Sequence, residues 1–62
     1  MNKQINVFIH YTGYRGSNEI NNNGVVTLLK PIKSLEDIAA IEETIKEQKH
    51  MDRVLLTNFV YL

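Results

Sequence analysis

The chain contains no cysteine among its 62 residues. Disulfide scaffolding is therefore excluded. A structural zinc site is not expected either, because His10 and His50 are the only imidazoles and no thiol is present to complete a tetrahedral set. No apolar run approaches the roughly 18 residues that read as a membrane span, so no membrane association is expected. Charge of either sign is not in excess: seven basic residues face seven acidic ones. The basic surplus that marks a nucleic-acid binder is missing. A net charge near zero also offers little repulsion against self-association. Met1-Asn2-Lys3-Gln4 leads directly into alternating residues rather than into an apolar stretch. No secretory leader is expected there, and with the absence of cysteine this points to a reducing cytoplasm.

A chain of this length makes one domain, 1–62, and a marginal one. Folds of this size bury only about 60% of the surface they expose when unfolded. Small folds add disulfides, a metal or partner subunits to compensate. The first is excluded and the second is not expected, which leaves association.

Ile5, Val7, Ile9 and Tyr11 recur at a period of two with Asn6, Phe8, His10 and Thr12 between them. That alternation predicts a first strand from Gln4 to Thr12 or Tyr14. Gly13-Tyr14-Arg15-Gly16-Ser17-Asn18 opens a loop that runs on through Asn21-Asn22-Asn23-Gly24. The Asn-Gly pair tolerates positive φ and marks a tight turn, with part of the loop extending the two strands. Val25 to Lys30 reads as the second strand, ended by Pro31, which has no N–H to donate. Ser34-Leu35-Glu36-Asp37 is a capping-box variant and sets a helix start. Leu35, Ile38, Ile41 and Ile45 draw one apolar stripe, and the helix is expected to run from Leu35 to Lys49 or His50. Acids crowd its first half and bases its end, which complements the helix dipole. Val54 to Leu62 is the third strand. The expected fold class is α+β: a small β-β-α-β domain with a three-stranded sheet and one helix on one face. The helix crossover is expected to be right-handed and to set strand three parallel to strand two. Strand order 2-1-3, with the first strand central, is favoured over 1-2-3, which needs a tighter crossover.

One helix covers one sheet face, yet strands two and three carry apolar residues on both sides. With the aliphatic set turned to the helix, strict alternation sends Phe8, Leu55, Phe59 and Tyr61 to the opposite face. An exposed patch of that kind is unusual on a monomer, and aromatic residues are enriched at interfaces. These four residues are the candidate oligomer interface, by face packing or by edge pairing of an exposed strand. Asn58, interrupting an apolar strand, needs hydrogen-bond partners wherever it is buried.

Catalytic chemistry is not legible. No nucleophile stands recognisably near His10, no acid–base pair or metal constellation emerges, and neither an enzyme nor a cofactor is expected. The best ligand-like segment is Gly13-Tyr14-Arg15-Gly16-Ser17, where an Arg between glycines can reach an anion beside backbone N–H groups. Tyr11 and Tyr14 are candidates to stack on a base, and His10 is a candidate contact. The segment lacks the Gly-Lys-Ser/Thr ending of a P-loop. The plainer reading is a soluble hairpin connection.

Ser34-Leu35-Glu36-Asp37-Ile38 leading to Ile41-Glu42, followed by Val54-Leu55-Leu56-Thr57-Asn58-Phe59, resembles a group of short uncharacterised proteins encoded by phages and prophages of Gram-positive bacteria. The likeness covers about the last thirty residues and the placement of the first strand. It excludes the stretch from Tyr14 to Gly24, and it carries no functional residue with it. The resemblance implies a phage accessory role in the host cytoplasm. Two functions from different classes are compatible with it. One is a homo-oligomeric, non-enzymatic binding protein that counters host defence by sequestering a small nucleotide-type ligand. The other is an interaction module that binds and inhibits or redirects a host protein through a strand edge or the aromatic sheet face.

Overall fold

The computed structural model describes residues 4–62. Met1, Asn2 and Lys3, on which the expectation about a leader rests, lie outside the described residues. The alternating N-terminal stretch forms strand β1, Ile5–Arg15, and it is followed by β2, Asn18–Leu28, helix α1, Leu35–Lys49, and β3, Arg53–Tyr61. The sheet has three strands in the order β2-β1-β3. Both outer strands run antiparallel to the central β1. The α+β class and the strand order are those read from the sequence.

The hairpin turn is elsewhere than expected. Arg15 pairs with Asn18, so Gly16 and Ser17 alone make the connection. Gly16 has φ 61°, and it is the only central turn residue at positive φ, the pattern of a type II′ turn. Asn23 and Gly24 lie inside β2, opposite His10 and Ile9. The gain is a ladder of eleven paired positions in place of a long unpaired loop, and each added pair satisfies backbone groups that water would otherwise have to serve.

Residues of β1 at odd positions point to the helix. Val7, Ile9 and Tyr11 form the core with Ile41, Ile45, Met51 and Val54. Gly13 continues the row, and the Met51 side chain occupies the space that a Cβ there would need. On α1 only Ile41 and Ile45 are buried. Leu35, expected in the same stripe, is 83% exposed. At 3.6 residues per turn it stands about 120° around the helix from Ile41, outside the arc that meets the sheet, whereas Ile45 is only about 40° away. Truncating Ile41 or Ile45 to Ala is a cavity-forming change of the kind that costs about 2–5 kcal/mol.

The ends of α1 are closed by side chains and backbone. The Ser34 hydroxyl accepts from the Asp37 N–H at 3.3 Å, and the Asp37 carboxylate accepts the Lys33 N–H at 2.9 Å. His50 ends the helix in the left-handed region at φ 55°, and the Met51 N–H returns to the Lys46 carbonyl at 3.0 Å.

Strand β3 departs from plain alternation. A bulge between the partners of His10 and Tyr11 leaves Thr57 outside the register, its hydroxyl donating to the His10 carbonyl at 3.0 Å, and inverts the parity of the residues beyond it. Leu56 and Val54 face the helix before it, and Phe59 and Tyr61 after it, in register with Ile9 and Val7. The expectation that Phe59 and Tyr61 look away from the helix is therefore corrected. Phe59 packs against the core, and the Tyr61 hydroxyl accepts the Ile32 N–H at 3.0 Å. Of the expected aromatic face, Phe8 and Leu55 remain.

Candidate functional site

The sheet face turned away from α1 is built from the even positions of β1 and their partners. Its rows are set by the register. Phe8 lies between Val25 and Val60, His10 between Asn23 and Asn58, Thr12 between Asn21 and Leu55, and Tyr14 between Glu19 and Arg53. No second helix is available among the described residues to lie over them. Val25 is 57% exposed and Val60 51%. The face thus runs from an apolar band, through a polar row, to a charged row at the hairpin end.

The charged row is held by its central aromatic. The Tyr14 hydroxyl donates to Glu19 Oε1 at 3.1 Å, and the Arg53 guanidinium lies 5.4 Å from the centre of the Tyr14 ring. Among the described residues neither Glu19 nor Arg53 meets an oppositely charged side chain; the ion pair found is Lys46–Glu43 at 3.7 Å. In the polar row, His10 makes an edge contact with Phe8 at 4.9 Å between ring centres. The Asn58 amide oxygen accepts its own chain's Phe59 N–H at 2.9 Å. No carboxylate or hydroxyl nucleophile occupies the positions paired with His10.

The four ligand candidates do not converge. His10 and Tyr14 share the open face. Tyr11 is buried on the helix side. Arg15 is at the hairpin tip, where its Nε donates to the His50 carbonyl at 3.2 Å and its Nη2 to the Lys49 carbonyl. The guanidinium thus caps the carbonyl end of α1, where the helix dipole favours a cation. Two more bonds fasten the tip to the α1–β3 connection: Gly16 N–H to Asp52 Oδ2 at 2.7 Å, and Asp52 N–H to the Tyr14 carbonyl at 2.8 Å.

A groove that sequence reasoning missed lies on the helix side. Because α1 packs toward β3, β2 is left uncovered there. A cavity of about 540 Å³ opens between β2 and α1, with Val26, Leu28, Ile32, Ile41 and Ile45 in its walls and Asp37 and Gln48 among its polar lining. That volume is within the range of small-molecule sites, about 300–1,000 Å³. Ala40, small and on the groove side of α1, is the one sequence sign of room at this place.

Among the described residues no cluster of three or more His, Cys, Asp or Glu is placed to hold a metal, and no helix is long and apolar enough to cross a membrane. No family model, no curated protein and no solved structure matches the chain.

Proposed function

We propose that this is a small non-enzymatic binding protein that works as a homo-oligomer, assembled through the open sheet face. The observation that carries the reading is the band of Phe8, Val25 and Val60 on a face that no element among the described residues covers. Leu55, beyond the polar row on the same side, adds a further exposed apolar residue to the face, and association would take both from water. Burying them adds stabilisation to a chain whose length leaves a single core marginal. The test is sedimentation velocity from about 1 to 100 µM. A mass above the 7.2 kDa of one chain supports the reading, and a monomer throughout contradicts it.

The resemblance of the C-terminal half to phage-encoded proteins favours an accessory role in a host cytoplasm, countering a defence by sequestering a ligand. Calorimetry against cyclic dinucleotides and ADP-ribose-type signals tests that role. Heat with one of them supports it, and none with any, together with an unchanged melting temperature, counts against it. A second reading has its own observation. Among the described residues the outer edge of β2 is unpaired, and it adjoins the apolar groove beneath α1. An extended segment of a host protein added along β2 would place alternate side chains over that groove. Recovery of one stoichiometric host protein, lost on Val26→Glu, favours this alternative over the ligand.

A further inference from the structure

We infer that the assembling unit is a face-to-face dimer whose two-fold axis runs along β1, so that β2 of each copy lies over β3 of the other. This rests on the homo-oligomer reading and specifies the partner as a second copy in one register.

The rows of the open face are complementary under that axis. A two-fold along the central strand keeps each row opposite itself and exchanges its two flanks. Phe8 then meets Phe8 of the second copy, and Val25 meets Val60. Asn23 meets Asn58, an amide against an amide, each able to donate and accept. Glu19 meets Arg53 and Arg53 meets Glu19, so two charges that meet no opposite charge among the described residues are paired twice over. Asn21 against Leu55 is the one mismatch, and the Asn21 amide oxygen is already bonded to the Thr12 hydroxyl at 2.8 Å.

The other two-fold that closes the same faces runs across the strands. It sets β2 over β2 and inverts the row order about His10. Glu19 then comes over Thr27, Arg53 comes over the Leu62 end of β3, and both charges stay unpaired. Charge complementarity therefore selects the axis along β1. Two stacked sheets pack about 10 Å apart and within about 30° of parallel, which preserves the row order.

Size agrees with this partner. Three strands spaced about 4.8 Å apart and five rows spaced about 6.8 Å apart, counting Asn6 beside Thr27 as the fifth, offer roughly 500 Å² of projected surface per copy. Side-chain relief brings the total for two copies to the lower end of specific interfaces, about 1,200 Å². A dimer of micromolar strength is the expectation, and its opposed charges weaken with added salt.

The test is a charge exchange between copies. Glu19→Arg alone sets Arg against Arg, and Arg53→Glu alone sets Glu against Glu. Each variant is expected to lose dimer affinity ten-fold or more. An equimolar mixture of the two creates opposite charges at both contacts and is expected to form a heterodimer at least as tight as the parent. Native mass spectrometry separates the variants by mass, and sedimentation gives the affinity. Mixing cannot repair the contacts with Tyr14 inside each chain, so rescue reports on the interface alone. A parent dimer with no rescue on mixing overturns this arrangement and leaves the oligomer reading standing. Single variants that dimerise like the parent do the same. A parent that is monomeric at every concentration overturns both.

Discussion

Replacing Arg15 by Ala tests whether the most ligand-like side chain of the sequence is committed to the fold. Its guanidinium donates to the Lys49 and His50 carbonyls at the end of α1, thirty-four and thirty-five residues away in the chain. Hydrogen bonds with one charged partner contribute about 1.5–3 kcal/mol each where water is excluded. Arg15 is exposed, so solvent screening cuts that by half or more. The two bonds together are then expected to contribute about 1–2 kcal/mol. For a domain of this size that corresponds to a melting temperature lower by roughly 5–15 °C. Arg15→Lys keeps the charge but not the fork and should recover about half of the loss. The assay is thermal and urea unfolding at one fixed chain concentration, because an associating protein melts in a concentration-dependent way. An Ala variant within about 0.3 kcal/mol of the parent would refute the reasoning and return the guanidinium to an anion-binding role.

Three further outcomes rest on single contacts. Glu42 Oε2 accepts the Leu56 N–H at 2.7 Å, next to the bulge in β3. Glu42→Ala strands that part-buried donor and should cost about 1–3 kcal/mol in urea unfolding, while Glu42→Gln, which keeps an acceptor, should cost less than half as much. Gly16 at φ 61° should tolerate Asn, whereas Gly16→Val should lower stability by about 1–2 kcal/mol and reduce the hairpin's protection in amide exchange. The Asp37 carboxyl is held below its ordinary 3.8 chiefly by the bond from the Lys33 N–H; desolvation opposes this, and Lys30 and Ser34 add weaker lowering contributions. A depressed folded pKa stabilises above the unfolded value and is lost as pH falls through the folded one, so the helix start should weaken below about pH 4, and Asp37→Asn should flatten that part of the stability profile.

The elements were legible because their periods are strong and local. Ser34 and Asp37 announced the helix start, and Ile5, Val7 and Ile9 announced the central strand. Order β2-β1-β3 follows from the tighter crossover that order 1-2-3 would need rather than from any residue. The turn was misplaced because Asn23-Gly24 is the stronger local signal, while the winning turn at Gly16-Ser17 is favoured by the ladder it permits across the whole hairpin. Strict alternation puts Phe59 and Tyr61 on the wrong face because one bulge residue, Thr57, reverses parity, and the polar Asn58 beside it signals a need for hydrogen-bond partners rather than a bulge. The groove under β2 was invisible because it depends on the sideways placement of α1 over the sheet. Arg15 was read as open to a ligand because its partners lie in another element. Phe8 and His10 are legible as residues of one face because β1 alternates without interruption, and Leu55 because β3 alternates up to its bulge, whereas Tyr14 reads as part of a loop.

The claim on which the rest depends is that the open sheet face is what one copy offers another. Phe8→Asp places a charge at the centre of its apolar band while leaving the core of Val7, Ile9 and Tyr11 untouched. The decisive measurement is the light-scattering mass of this variant beside that of the parent, both at about 50 µM and with circular dichroism confirming the fold. The expected result is an associated parent and a folded variant at the 7.2 kDa of a single chain. A folded Phe8→Asp variant that keeps the parent's mass would contradict the account.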